Sequence, residues 1–81
     1  MSQAYTYMLR CADGSLYTGW TTKLAERVAV HNSGRGSRYT RSRLPVELVW
    51  WEEHSDQREA RRREIQIKRL NRIEKLRLFG E

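Results

Sequence analysis

The alternation of apolar and polar positions changes period several times along the chain. From Ala4 to Cys11 strong β-formers mix with polar residues, and the same character returns from Leu16 to Trp20 after Asp13-Gly14, a good hairpin signal. Two antiparallel strands are predicted there. From Lys23 to Asn32 the pattern turns helical, with Leu24 and Val28 as the packed stripe, Thr21 and Thr22 placed to cap, and Ser33-Gly34-Arg35-Gly36 to end the helix. The basic segment up to Pro45 reads as a loop with one helical turn. VELVWW, from Val46 to Trp51, is the most apolar run and reads as a third strand, central or buried on both faces. Ser55 or Asp56 starts a helix through Leu70, and Asn71 opens or kinks into a last short helix, RIEKLRLF. The expected fold is α/β (α+β): a small three-stranded antiparallel sheet flanked by helices, in the order strand, strand, helix, short helix, strand, helix, helix. Residues 1–81 form a single domain on this reading.

The register of the first hairpin decides what its tyrosines can do. A two-residue Asp13-Gly14 turn would put Tyr7 and Tyr17 on opposite faces, because side chains alternate along a strand. A three-residue loop, Ala12-Asp13-Gly14 with Gly14 left-handed, instead pairs Leu9 with Tyr17 and Tyr7 with Gly19. Tyr7 and Tyr17 then share a face, and the missing side chain at Gly19 opens a space beside both phenols. Tyr5 reads as a packing residue.

Charge adds a direction. The chain has 81 residues and a formal charge of +6, with Arg10, Lys23 and Arg27 the only cations before Arg35. A basic surface on so small a body favours a polyanionic partner, although a solvated basic helix face is equally compatible with the charge alone. No stretch reaches the roughly 20 apolar residues of a membrane helix, and no secretory signal is present. A lone cysteine, Cys11, excludes an internal disulfide and suits a reducing cytoplasm. The oligomeric state is open, with a monomer favoured.

Candidate chemistry comes from spacing. Arg27 and His31 stand four apart and share a helix face, as either a site pair or a surface cation with a helix-end histidine. Glu64 lies in the stripe of Ala60 and Ile67, so it points inward and must be paired, by an arginine or Lys68, or hold a cation.

Taken in order, a Tyr-x-Tyr strand, a Tyr-x-Gly strand, Arg-x-x-x-His on a helix and an inward glutamate on a later helix resemble the GIY-YIG nuclease superfamily. The likeness is to its small stand-alone bacterial members, related to the N-terminal domain of the excision-repair nuclease subunit UvrC. Tyr5-Thr6-Tyr7 stands in the place of GIY and Tyr17-Thr18-Gly19 in the place of YIG, so Tyr5, Thr6 and Thr18 depart from the motif. The stretches YMLRCADGSLYTG, GRGSRYTR, RLPVELVWWEE and REARRREIQIKRLNRIEKLRL also resemble that subfamily. Larger members carry a late asparagine in the site, and Asn71 is close to it in order.

The resemblance implies a metal-dependent DNA endonuclease acting on structured or damaged DNA in repair or recombination, with RNA left open. Tyr7 and Tyr17 would flank the scissile phosphate, one of them, preferentially Tyr7, serving as base or relay. His31 would accept its hydrogen bond or proton, Arg27 would hold phosphoryl oxygens, and Glu64 would bind one divalent cation, Mg²⁺ or Mn²⁺. Around this core Gly19, Arg35, Arg38, Tyr39, Arg41, Arg43, Arg62 and Lys68 are the expected nucleic-acid contacts, with Tyr39 able to stack on a base. Trp20 is kept as a cleft candidate, and Trp50 and Trp51 are assigned to the core or its rim. The competing reading is a nucleic-acid-binding module of the same fold with little or no cleavage.

Overall fold

The computed structural model describes residues 3–81. Its elements run β1 (Ala4–Arg10), β2 (Leu16–Thr21), α1 (Leu24–Asn32), α2 (Arg38–Arg41), β3 (Glu47–His54), α3 (Gln57–Lys68) and α4 (Arg72–Leu78). The sheet is antiparallel with order β2-β1-β3, so the expected architecture is present.

The third strand departs from expectation. β1, not VELVWW, is central, and β3 is an edge strand with Trp51 52% exposed. The cause is local: Met8 pairs with Trp50 but Leu9 with Leu48, so Val49 is an extra residue, a β-bulge. The bulge lets Leu48 and Trp51, three apart, share the Tyr7 face, which strict alternation forbids. The mostly apolar run therefore marks a bulged edge here rather than a two-sided interior.

Helices cover both sheet faces. Tyr7 and Leu9 join Cys11 and Val46 in a buried cluster, and Leu24 and Val28 of α1 pack on it together with Leu44 and Leu48. On the other face the Thr6 hydroxyl donates to the Ala60 carbonyl of α3 at 2.8 Å, and Arg63 of α3 bonds Glu52 of β3 at 3.1 Å. Burying one core side chain such as Leu9 or Ile67, both fully buried, contributes about 1.5–3 kcal/mol.

The helix ends follow local chemistry. Asp56 caps α3 by accepting from the Glu59 amide, and Asn71 forms a reciprocal capping box with Glu74. α1 begins after Lys23 without a side-chain cap, since the Thr21 hydroxyl takes the Lys23 amide one step too early. It ends in a Schellman turn: Gly34, at φ +84°, donates to His31 and Arg35 to Val30. Asn32 then holds the entry to β3 by bonding both the Val46 amide (2.7 Å) and carbonyl (3.0 Å).

Candidate active site

The hairpin closes in the three-residue register. The Cys11 amide bonds the Ser15 carbonyl at 2.8 Å, Gly14 sits at φ +87°, and Asp13 accepts from both the amide and hydroxyl of Ser15. Leu9 faces Tyr17 and Tyr7 faces Gly19 across the ladder. Tyr7 and Tyr17 therefore share a face, their rings 6.5 Å apart.

The Tyr7 phenol packs directly against the Gly19 backbone. A Cβ there would lie 2.6 Å from the Tyr7 Oη and 3.2 Å from a Tyr17 ring carbon, so no other residue fits without displacing a phenol.

The histidine is not a surface helix end. His31 is fully buried, its Nε2 2.8 Å from the Tyr7 Oη and its Nδ1 2.8 Å from the Thr40 hydroxyl. Thr40, also fully buried, lies within 3.3 Å of the Ser37 carbonyl, which can only accept. In the tautomer where Thr40 gives its proton there and accepts from Nδ1–H, Nε2 is left to accept the Tyr7 O–H. The backbone at Gly36 closes the far side: a Cβ would press into the imidazole, 2.7 Å from its Cγ.

Thr40, Ser37 and Gly36 are thus supporting residues that the sequence reading did not single out. A signal was present, since Ser37 precedes a short turn as a cap would and accepts from the Thr40 amide.

Electrostatics set both proton positions. Burial pushes the Tyr7 hydroxyl up to about 12; the Arg27 guanidinium beside it favours the phenolate but loses to desolvation, and Tyr17 and Glu64 add to the rise. Burial likewise takes His31 down to about 4, and the Arg27 charge depresses it further. Both groups are neutral at pH 7. With the Tyr7 hydroxyl raised and bonded to His31, sharing its proton with His31 is the available route.

Glu64 lies in the inward stripe as expected. Its side chain is 19% exposed and its carboxylate is 3.5 Å from Lys68 Nζ, so it has a partner, and its charge adds the smallest contribution to the Tyr7 rise. Lys68 is consequently occupied, not a free phosphate contact.

Four further expectations change. Arg43 bonds Asp13 (3.0 Å) and the Tyr39 carbonyl (2.8 Å), fastening the hairpin loop to α2 instead of reaching for phosphate. Its guanidinium also lies 3.9 Å from the Tyr39 ring centroid, and Tyr17 stacks on the same ring at 6.0 Å. Tyr39 is therefore a wall behind Tyr17 and not a free platform for a base. Trp20 pairs with Thr6 across the ladder, which places it on the α3 side of the sheet, away from the phenols. Asn71 is spent as the cap of α4. Arg35, Arg38 and Arg41 are exposed and, among the described residues, form no ion pair. Arg62 is exposed on α3.

The helix-flanked antiparallel sheet thus carries tyrosines from two paired strands, a glycine packed under the phenol, a buried histidine and an inward glutamate. The family model described as the GIY-YIG catalytic domain matches residues 3–77, and the chain belongs to the GIY-YIG family. Its class is therefore that of a nuclease domain, with nucleic acid as substrate. Relatives include a UPF0213 protein of Staphylococcus haemolyticus, 47% identical over all of this chain and 99% of its own length. Another, from Clostridium perfringens, is 53% identical over 94% of this chain and 82% of the relative. The solution NMR structure of a UPF0213 protein of Bacillus halodurans matches with TM-score 0.60 and 43% identity, over 94% of this chain and 81% of that one. That of an E. faecalis protein matches with TM-score 0.62 and 36% identity, over 96% and 84%. Among the described residues no helix is long and apolar enough to cross a membrane.

Proposed function

We propose that the chain is a metal-dependent DNA endonuclease that hydrolyses phosphodiester bonds in structured or damaged DNA, in a cytoplasmic repair or recombination role. The observation that carries this reading is the buried Thr40–His31–Tyr7 hydrogen-bond chain, ending at a phenol oxygen packed over Gly19 and next to Tyr17. A buried relay that ends at a phenol oxygen is what activation of a water needs, and a binding module does not require it.

In-line hydrolysis needs a base, cationic stabilisation of the phosphoryl oxygens and a stabilised leaving oxygen. Tyr7, with its proton turned to His31, presents oxygen lone pairs to an attacking water. As that water loses its proton to Tyr7, the phenol hands its own to His31 Nε2. Arg27 holds the phosphoryl oxygens; burial is the main cause of the His31 depression, and an ion pair between Arg27 and the phosphate removes the smaller part that the Arg27 charge adds. His31 thus becomes a better base only when substrate is seated. Tyr17, between His31 (5.2 Å) and Tyr39 (6.0 Å), forms the other wall.

Among the described residues no three His, Cys, Asp or Glu side chains cluster as a metal cage. One largely buried carboxylate fits Mg²⁺, which keeps most of its waters and takes substrate oxygens, so Glu64 is the residue that would hold it. When bound, such a cation supplies charge stabilisation at the phosphoryl and leaving oxygens. Lys68 must release Glu64 for that. Arg35, Arg38 and Arg41 grip phosphates near the cut without reading bases, which suits recognition by structure over sequence.

The test incubates flaps, branched junctions, single strands and RNA with Mg²⁺ or Mn²⁺, comparing the parent chain with Tyr7→Phe and Glu64→Ala. Both substitutions are expected to abolish detectable cleavage. Cleavage that survives both removes the catalytic assignment, and DNA binding without cutting under any metal favours the binding module.

A further inference from the structure

The exposed side of α3 carries a row of arginines that takes in Arg62, one of the nucleic-acid contacts expected from the sequence. Arg58, Arg61, Arg62 and Ile65 follow one another at the spacing that puts them on one helix face, and Arg69 continues the line beyond the helix end. The first four line a shallow depression of about 360 Å³. This face is turned away from Ala60 and Ile67, which are fully buried against the sheet, while Glu64 and Lys68 lie along the border between the two.

The charge on this face is unbalanced. Among the described residues none of Arg58, Arg61, Arg62 and Arg69 forms an ion pair, whereas Arg63 beside them is matched by Glu52 and Lys68 by Glu64. Like charges three and four apart repel, so the row weakens the helix it sits on. Ile65, 51% exposed, stands in the middle of the row with no contact to the core that would account for it.

We infer that this face is a second phosphate-binding surface, which takes the backbone of a DNA segment other than the one held at Tyr7, and thereby lets one chain hold two parts of a substrate. The inference rests on the nuclease reading above. Charge complementarity selects the occupant: guanidinium groups repeating about every 6 Å along a helix meet a polymer that carries one charge per about 1.7 Å of axis, and Ile65 faces the apolar side of a sugar. Because the row points away from the sheet, phosphates flanking the cut do not reach it.

The experiment measures binding, not cleavage, of a random-sequence B-form duplex by fluorescence anisotropy across a salt series. The triple variant R58Q/R61Q/R62Q is compared with the parent chain, with R58K/R61K/R62K and with the loop variant R35Q/R38Q/R41Q. The glutamine helix variant is expected to flatten the slope of log affinity against log salt by about 2.7, at about 0.9 for each phosphate no longer neutralised. Between about 50 and 200 mM salt the parent then loses about 40-fold more affinity than the variant does. The lysine variant is expected to keep the parent slope. A slope unchanged by the glutamine helix variant but flattened by the loop variant overturns this inference and leaves the nuclease reading standing. Absence of salt-dependent binding by the parent chain overturns both.

Discussion

Replacing Thr40 by valine tests the relay at its buried end, where no substrate group reaches. Thr40 and His31 are both fully buried, and the 2.8 Å bond between them is the only partner of Nδ1 among the described residues. Valine keeps the shape but leaves the Nδ1–H without an acceptor, which costs about 1–3 kcal/mol of stability. The imidazole can escape that cost by moving its proton to Nε2, but an Nε2–H must donate to Tyr7 and so turns the phenol proton away from the histidine. The productive arrangement then becomes a minor species, and cleavage is expected to fall by on the order of 10²-fold, the lower end of what acid–base assistance contributes. Thr40→Ser, which keeps the hydroxyl, is expected to cleave at nearly the parent rate. Single-turnover cleavage, urea unfolding and ¹⁵N chemical shifts of the His31 ring read rate, stability and tautomer separately. A valine variant that unfolds more easily yet keeps both the Nδ1–H tautomer and the parent cleavage rate would refute the reasoning.

Other outcomes follow from the same geometry. His31 is depressed from 6.5 to about 4, so between those values the unfolded chain binds a proton that the folded chain refuses; stability is complete above about pH 6.5 and falls as pH drops toward 4, by up to about 3 kcal/mol, a slope that urea midpoints should lose in His31→Gln. Gly19→Ala puts a methyl 2.6 Å from the Tyr7 Oη, and overpacking of this kind costs about 1–3 kcal/mol; cleavage should be lost while far-UV circular dichroism remains that of the parent, and an active, unperturbed variant would show that the phenol does not need this packing. Asn71→Ala removes a helix cap and should lower stability by about 1 kcal/mol without altering the cleavage rate of the folded protein; a rate loss larger than the stability loss would return Asn71 to the site.

How much of this could be read from residues alone depends on whether the determining interaction is local. The hairpin register was legible because Gly14 and the strand period restrict it to two choices, of which one aligns the tyrosines. The ends of α3 and α4 were legible because Asp56 and Asn71 make their bonds within three residues. The position of β3 was not, because VELVWW is apolar for a reason that its own sequence does not show: Val49 bulges only in register with Met8 and Leu9 of another strand. The same holds for Arg43 and Tyr39. Each reads as a solvent-facing nucleic-acid contact until Asp13, thirty residues earlier in the chain, claims the guanidinium.

His31 shows why the candidate site was visible as a set and not in its detail. An arginine and a histidine four apart on a helix identify a shared face, but only the return of the loop at Gly36 and Thr40 decides that the face is buried. Burial then reverses the simple acid–base expectation: it makes Tyr7 a weaker acid and His31 a weaker base, so the pair at rest holds its proton firmly on the phenol. In the proposed reaction the charges that ease this lock in part, a phosphodiester that offsets the Arg27 charge on His31 and a cation that offsets the Glu64 charge on Tyr7, arrive only with the substrate complex. A site built this way assembles its base when DNA is in place and idles otherwise, which a surface histidine with an ordinary pKa could not do.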